Sequence, residues 1–323
     1  MKMVYLQENN FEHQMKHMVK PYLEQRETVL WPEREPGRKI HCLRYLADRP
    51  KGIILISHGY TEFAGKYREA VYYFLRAGYH VYLPEHCGHG YSYRLTEDPS
   101  LVHVDSFRRY VDDLLFVADM AREEFPDLKM YLYAHSMGGG IGAAAAAEKP
   151  QLFEKVVLTS PMIRPLTGSV PWPAAAVIAA AKCKAGKSSE YLAGQLPYEP
   201  GETFEGSSAL SRARFEEYLR EKESDVHHHL SACSYGWLHA TDELNRFLQM
   251  RGWRQITAPL LMFEAGQERY VSNPEQRRFV KKISRRGCSP VRMVYVAAAK
   301  HEIFNAGDAV TERYWRRVFS FLR

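Results

Sequence analysis

No stretch of this 323-residue chain reaches the ~18 apolar residues that a membrane span needs. The nearest approach, "VPWPAAAVIAAAKC" at 170–183, is short and broken by Pro171 and Pro173. The opening segment, "MKMVYLQENNFEHQMKHMVK", carries charges where a secretory signal has its apolar centre. Cysteine is sparse: Cys42, Cys87, Cys183, Cys233 and Cys288 are odd in number, far apart and never in a C-x-x-C pair. That spacing excludes a disulfide framework and a zinc ribbon, and it fits a reducing compartment. The expected location is therefore cytoplasmic. No tract interleaves aromatics with dense basic residues, so nucleic acid is not an expected partner. Internal repeats and low-complexity segments are absent. Charge of one sign is not dominant either: 44 Lys and Arg face 38 Asp and Glu, for a formal charge of +6. So mild an excess fits a solvated surface with a weak attraction to anionic lipid or an acidic substrate.

What is present is an alternation of strands and helices. "GIILISHG" (52–59) is a continuous apolar run closed by glycine, as in a central parallel strand. "YHVYLPEH", "KMYLYAH" and "KVVLTSP" repeat the pattern, with helical segments "YREAVYYFLRAG" and "SFRRYVDDLLFVADMAREEFP" between them. Upstream, residues 11–26 read as a polar helix. "ETVLWPE" and "RKIHCLRYLA" read as two strands joined by the turn Glu35-Pro36-Gly37. After Ile163 the rhythm stops, proline and glycine crowd in, and "SALSRARFEEYLREKES" and "YGWLHATDELNRFLQM" read as helices. Strands return at "APLLMFEAG" and "VRMVYVAAA". The reading is an α/β fold with a mostly parallel sheet, residues 1–163 and 236–323, interrupted by a helical insertion at 164–235.

One junction stands out. "MYLYAHSMGGGIGAAAA" (130–146) sets Ser136 between a strand and an alanine-rich helix. A sharp strand-to-helix turn needs tiny residues two before and two after the serine, usually as G-x-S-x-G. Here Ala134 and Gly138 take those places. The turn presents the serine oxygen above the sheet and leaves the Met137 amide at a helix N-terminus, where an anion is favoured. A serine nucleophile needs a base oriented by an acid, in the chain order Ser, Asp or Glu, His. His301 follows the last strand and is the candidate base. Glu268, in the loop after "PLLMFEAG", is the candidate acid. Glu264 lies within that strand and Asp308 lies beyond the histidine, so both are weaker rivals. The amide of Tyr60, after "ISHG", joins Met137 as the second candidate oxyanion donor.

Together "HGYTEFAGKY", "LPEHCGHGYSYR", "AHSMGG", "AGQERYV" and "KHEIF" resemble the serine α/β-hydrolases of the monoacylglycerol lipase and bacterial lysophospholipase L2 group. The resemblance includes "MVKPYLEQRE" near the start and "SYGWL" after the insertion. Ala134 and a glutamate acid fit the lysophospholipase branch. Glu85 stands where the family usually has Asp, in a loop expected to brace the site. The resemblance implies that 164–235 is a cap building an acyl channel, with "PWPAAAVIAAA" at its mouth. It implies ester hydrolysis through an acyl-enzyme, without metal or cofactor, on a small or single-chain lipid ester met at a membrane surface. His135, Cys233, Tyr235 and Trp237 are expected near the pocket. His227-His228-His229 cannot face one ligand point from a helix and is expected to be a polar surface. An acyltransferase with the same triad, a small-ester esterase and a catalytically silent binding protein are the alternatives. Cys87, Cys183 and Cys288 are expected to be inert.

Overall fold

The computed structural model describes residues 3–287 and 289–323. Eight strands form one central sheet: β1 Glu27–Leu30, β2 Cys42–Tyr45, β3 Ile53–Ser57, β4 His80–Pro84, β5 Met130–His135, β6 Lys155–Thr159, β7 Leu260–Gln267 and β8 Val291–Lys300. Their spatial order is β1-β2-β4-β3-β5-β6-β7-β8. β1 pairs with β2, and β2 with β4, in antiparallel fashion; from β4 to β8 all neighbours are parallel. Among the described residues, eight α-helices of nine or more residues accompany it: α1 Arg68–Arg76, α2 Phe107–Glu124, α3 Ser136–Glu148, α4 Trp172–Lys184, α5 Arg212–Ser224, α6 Tyr235–Met250, α7 Asn273–Arg286 and α8 Asp308–Leu322.

The continuous apolar strands are buried on both faces, and their side chains alternate between two cores. Ile53 and Leu55 of β3, with Leu132 and Ala134 of β5, pack beneath α2, α3 and α6. Ile54 and Ile56, with Tyr131 and Tyr133, pack against α1, α8 and the N-terminal helical segment. Helix α3 has no polar face before Glu148, because it is surrounded: residues 136–147 are all buried. Its small side chains let sheet, α2 and α6 approach together.

Two expectations from sequence are corrected. The segment 11–24 is not a polar helix: Phe11, Met15, Val19 and Leu23 are buried. Their spacing of four overshoots the 3.6-residue turn, and a π-helical stretch at Met15–Val19 takes up the drift. The two upstream strands are each split. Short strands Glu33–Glu35 and Arg38–Lys39 form a separate hairpin, closed by Gly37 at φ +76°, before the chain enters β2.

Residues 164–235 contain α4 and α5, with the intervening 185–211 largely irregular. This segment is anchored at its end, where Ala232–Cys233 pairs in parallel with Leu101–Val102. Glu85, at the end of β4, braces the loop below the site. Its carboxylate contacts His41 Nδ1 at 2.7 Å and accepts from the amides of Ala64 and Tyr91, both at 2.8 Å. Burial pushes this carboxyl up, but the His41 bond and charge and the two amides outweigh it, down to about 2. A depressed carboxyl stabilises the fold above its unfolded value of about 4.3 and loses that contribution as pH falls towards 2. In Glu85→Gln, the deficit in thermal midpoint against wild type is therefore expected to be full at pH 7 and to shrink steadily below pH 4.5. A deficit independent of pH, followed by calorimetry, would contradict this.

Candidate active site

The register of the sheet sets the site. Ser57, Ala134, Leu158 and Met262 lie side by side across β3, β5, β6 and β7, close to the carboxyl ends of the first three. The loops beyond this carboxyl edge carry the chemistry-bearing residues, as is general for open α/β sheets. Gln267 pairs with Lys300 after a bulge. Glu268 and His301 therefore leave the last two strands from neighbouring positions.

Ser136 adopts φ +53°, in the left-handed region. The turn is possible because α3 starts almost on top of β3. A Cβ at Gly138 would lie 2.2 Å from the Ser57 carbonyl oxygen and 2.3 Å from that of His58. Ala134 is accommodated because its methyl faces Gly142, where an added Cβ would stand only 3.0 Å away.

The structure brings three sequence-nominated side chains into a chain of hydrogen bonds. His301 Nε2 lies 2.8 Å from Ser136 Oγ, and His301 Nδ1 lies 2.7 Å from Glu268 Oε2. The other oxygen, Glu268 Oε1, accepts from the amides of Arg269 (3.0 Å), Tyr270 (2.8 Å) and Val271 (3.2 Å). Burial pushes the Glu268 carboxyl up, but His301 and the amides of Tyr270 and Val271 hold it below its usual range. It is therefore ionised at neutral pH, as an acid orienting an imidazole must be. Glu264 sits in β7, is buried and is engaged by Arg277, with Nε 2.9 Å from Oε2. Asp308 accepts the Glu8 amide at 3.0 Å and pairs with Arg214. Neither carboxylate reaches His301.

A cavity of about 840 Å³ opens over Ser136. Tyr60, His135, Cys233, Tyr235 and Trp237 all line it. The Tyr60 and Trp237 rings stand 4.8 Å apart, and Trp237 Nε1 donates to Met137 Sδ at 3.4 Å. The Met137 amide belongs to the first turn of α3, whose N–H groups lack intrahelical acceptors. His135 is less free than its place in the wall suggests. Its Nδ1 donates to the Thr159 carbonyl at 3.1 Å, and Nε2 lies 3.6 Å from Glu62. Burial pushes it down to about 4, against the pull of Glu62, so it is neutral.

Several neighbours were missed by sequence reasoning. Ser160, at φ +43°, donates its hydroxyl to the His301 carbonyl at 2.7 Å and so pins the histidine loop. Glu62, Lys66 and Glu302 form a buried ionic cluster in the cavity wall. "HGYTE" and "KHEIF" contained the two carboxylates, but no local pattern announces a pairing between residues 236 positions apart. The histidine run is not a simple polar surface: His227 stacks on Tyr91, His228 on Phe63 and His229 on Tyr198. Among the described residues no group of His, Cys, Asp and Glu is arranged to hold a metal. Cys42, Cys87, Cys183 and Cys233 are free thiols, whereas Cys288 lies outside the described residues.

Comparison with known proteins adds the lineage. Residues 48–308 match the profile of the family described as Serine aminopeptidase, S33. The chain belongs to this family. Within the S33 family's wider circle it is 28% identical to the Monoacylglycerol lipase of Mycolicibacterium smegmatis, over 79% of this chain and 83% of that one. It is 27% identical to the Lysophospholipase L2 of Escherichia coli K12, over 88% and 86%. The S33 chain is thus a serine hydrolase of the type these relatives represent. Its fold is that of solved α/β-hydrolases. A soluble variant of the Saccharomyces cerevisiae monoglyceride lipase superposes with a TM-score of 0.70 at 15% identity, over 92% of this chain and 94% of that one. A carboxyl esterase from Bacillus coagulans reaches 0.73 at 16% identity, over 92% and 97%. No described helix is long and apolar enough to cross a membrane.

Glu268→Gln is expected to lower kcat on a p-nitrophenyl ester by about 10² to 10⁴-fold with little change in thermal midpoint, because an amide orients the imidazole poorly. Glu264→Gln should leave kcat within about twofold. The reverse ranking, measured on the purified variants, would move the acid to Glu264.

Proposed function

We propose that the protein hydrolyses carboxylic esters of single-chain lipids, a monoacylglycerol or a lysophospholipid, through an acyl-enzyme on Ser136. The observation that supports this most is the hydrogen-bonded chain Ser136–His301–Glu268 at the floor of a large cavity. In this reading His301 Nε2 takes the Ser136 hydroxyl proton as Oγ attacks the ester carbonyl. The tetrahedral oxyanion is held by the amides of Tyr60 and Met137, each donor worth roughly 10² to 10³ in rate. His301 then gives its proton to the departing alkoxide, which leaves as the alcohol. Water repeats the sequence on the acyl-enzyme, releasing the fatty acid and restoring Ser136.

The cavity supports a lipid chain because much of its lining is apolar: Met162, Leu166, Val170, Ile178, Leu192 and Leu238 line it, and we read them as an apolar arm. Tyr235 and Trp237 line the cavity too, with Trp237 against Met137 beside the nucleophile. We assign residues 164–235 the role of a cap over this arm. Leu166, Val170, Val177 and Ile178 are exposed on it, with Lys182 and Lys184 one turn further along α4. That arrangement favours a peripheral contact with an anionic membrane surface from which the substrate is drawn. The four free thiols, three of them buried, favour a reducing, cytoplasmic setting.

Two measurements test the reading. A fluorophosphonate is expected to label Ser136 and no other residue, read by mass spectrometry; an unlabelled wild type would favour a binding protein instead. Across esters of two to sixteen carbons on one leaving group, kcat/KM is expected to rise by up to about two orders of magnitude per four added carbons until the arm is full, since each buried methylene contributes roughly 0.8 kcal/mol. A fall above four carbons would leave a small-ester esterase. Lysophosphatidylcholine against monoacylglycerol then decides the head group.

A further inference from the structure

Catalysis as proposed requires the Tyr60 amide and the His301 imidazole to act on one tetrahedral carbon at once. The two hang from β3 and β8, the fourth and eighth strands across the sheet, so strand pairing alone holds their loops only indirectly.

Lys66 joins them. It stands on a short 3-10 turn, Ala64–Tyr67, just beyond the Tyr60 turn. Its Nζ lies 2.9 Å from Glu62 Oε1 and also donates to Glu302 Oε1. Glu62 belongs to the oxyanion turn: its Oε2 accepts from the Gly59 amide and from the Tyr67 hydroxyl, the latter at 2.6 Å. Thr61, between Tyr60 and Glu62, sits at φ +56°, a conformation the surroundings must hold in place. Glu302 is the residue after His301. Its Oε2 accepts from Asn305 Nδ2 at 2.7 Å, and its Oε1 accepts from the Ser208 hydroxyl of the insertion. The side chains of Lys66, Glu62 and Glu302 are only 5%, 5% and 7% exposed. Tyr218 of α5 covers the ammonium with its ring, 4.5 Å from Nζ. Burial pushes Lys66 down, but Glu302 and Glu62 more than reverse it, so the cation persists.

The cluster is poorly suited to binding a head-group phosphate: two carboxylates already engage the one ammonium. Nor is stability its evident purpose, since apolar replacements of buried ion clusters are often neutral or stabilising. We propose that Lys66 is a positioning residue that ties the oxyanion turn to the histidine loop through Glu62 and Glu302, fixing the separation between the Tyr60 amide and His301. This rests on the roles given to those two groups above.

The test uses the full chain and a small substrate, so that cap and lipid chain do not enter. Wild type, Lys66→Met, Lys66→Arg, Glu302→Gln and the double variant Lys66→Met/Glu302→Gln are compared. The readouts are thermal midpoint, kcat and KM on p-nitrophenyl butyrate, and the rate of fluorophosphonate labelling. Lys66→Met is expected to lose about 10- to 100-fold in kcat and in labelling rate, the scale of a sub-ångström to 1 Å misplacement, with KM changed less than about threefold. In the double variant the net charge of the cluster is that of wild type, and Glu62 keeps its Gly59 and Tyr67 donors. The midpoint of this variant should return close to wild type while kcat stays at least about tenfold down. Arginine, whose fork can reach two carboxylates, should restore kcat to within about fivefold. Recovery of kcat together with the midpoint in the double variant, or wild-type labelling of Lys66→Met, would overturn the proposal. If Lys66→Met does not fold, Glu302→Gln decides: an unchanged kcat overturns the tie, and a loss of about threefold or more at constant KM supports it. An unlabelled wild type would instead defeat the hydrolase reading itself.

Discussion

A backbone turn at Ser136 is the constraint from which the rest of the site follows. A side chain held at φ +53° between β5 and α3 needs the helix to begin against the end of β3, and that contact leaves no room for any Cβ at Gly138. Once α3 starts there, its first turn and the turn after β3 are neighbours, and Tyr60 and Ser136 line one cavity. The alanine run continues the same logic. Small residues through 147 let α3 sit deep in the core, with α2 and α6 closing over it. The strain of one residue is thereby supported by the packing of a whole layer.

Glu268 and His301 reach that serine by a different route. β7 and β8 are edge neighbours whose register brings Gln267 opposite Lys300, so the next residues of each chain begin side by side. Three amides fix one oxygen of Glu268 and leave the other for His301. Ser160 pins the carbonyl of the same histidine from β6. The imidazole is thus held by contacts from three successive strand ends.

Much of this could be read from sequence, for a physical reason. Ser136, Glu268 and His301 each follow an apolar run, and a continuous apolar run ended by glycine or a polar loop is a local signal. The amphipathic spacing of α6 was legible, and the helix begins and ends with the quoted segment. Where local pattern misled, tertiary burial decided. The charged residues of 11–24 masked a stripe of Phe11, Met15, Val19 and Leu23 that only the α1 and α8 surface makes meaningful. The stacking of three successive histidines on three different aromatic rings had no one-dimensional signature. The Lys66 cluster is the extreme case, because a lone lysine in sequence is indistinguishable from one at the surface.

The relaxed turn at Ala134 carries a consequence for how this chain can change. The methyl of Ala134 and the bare Cα of Gly142 share space for one carbon between them. Positions 134 and 142 are therefore not independent sites. A Cβ at 142 would also meet Leu132 Cδ2 at 2.8 Å, so a larger residue there calls for room at both 132 and 134. The order in which substitutions arrive then decides which are permitted, and positions 134 and 142 should be strongly non-additive.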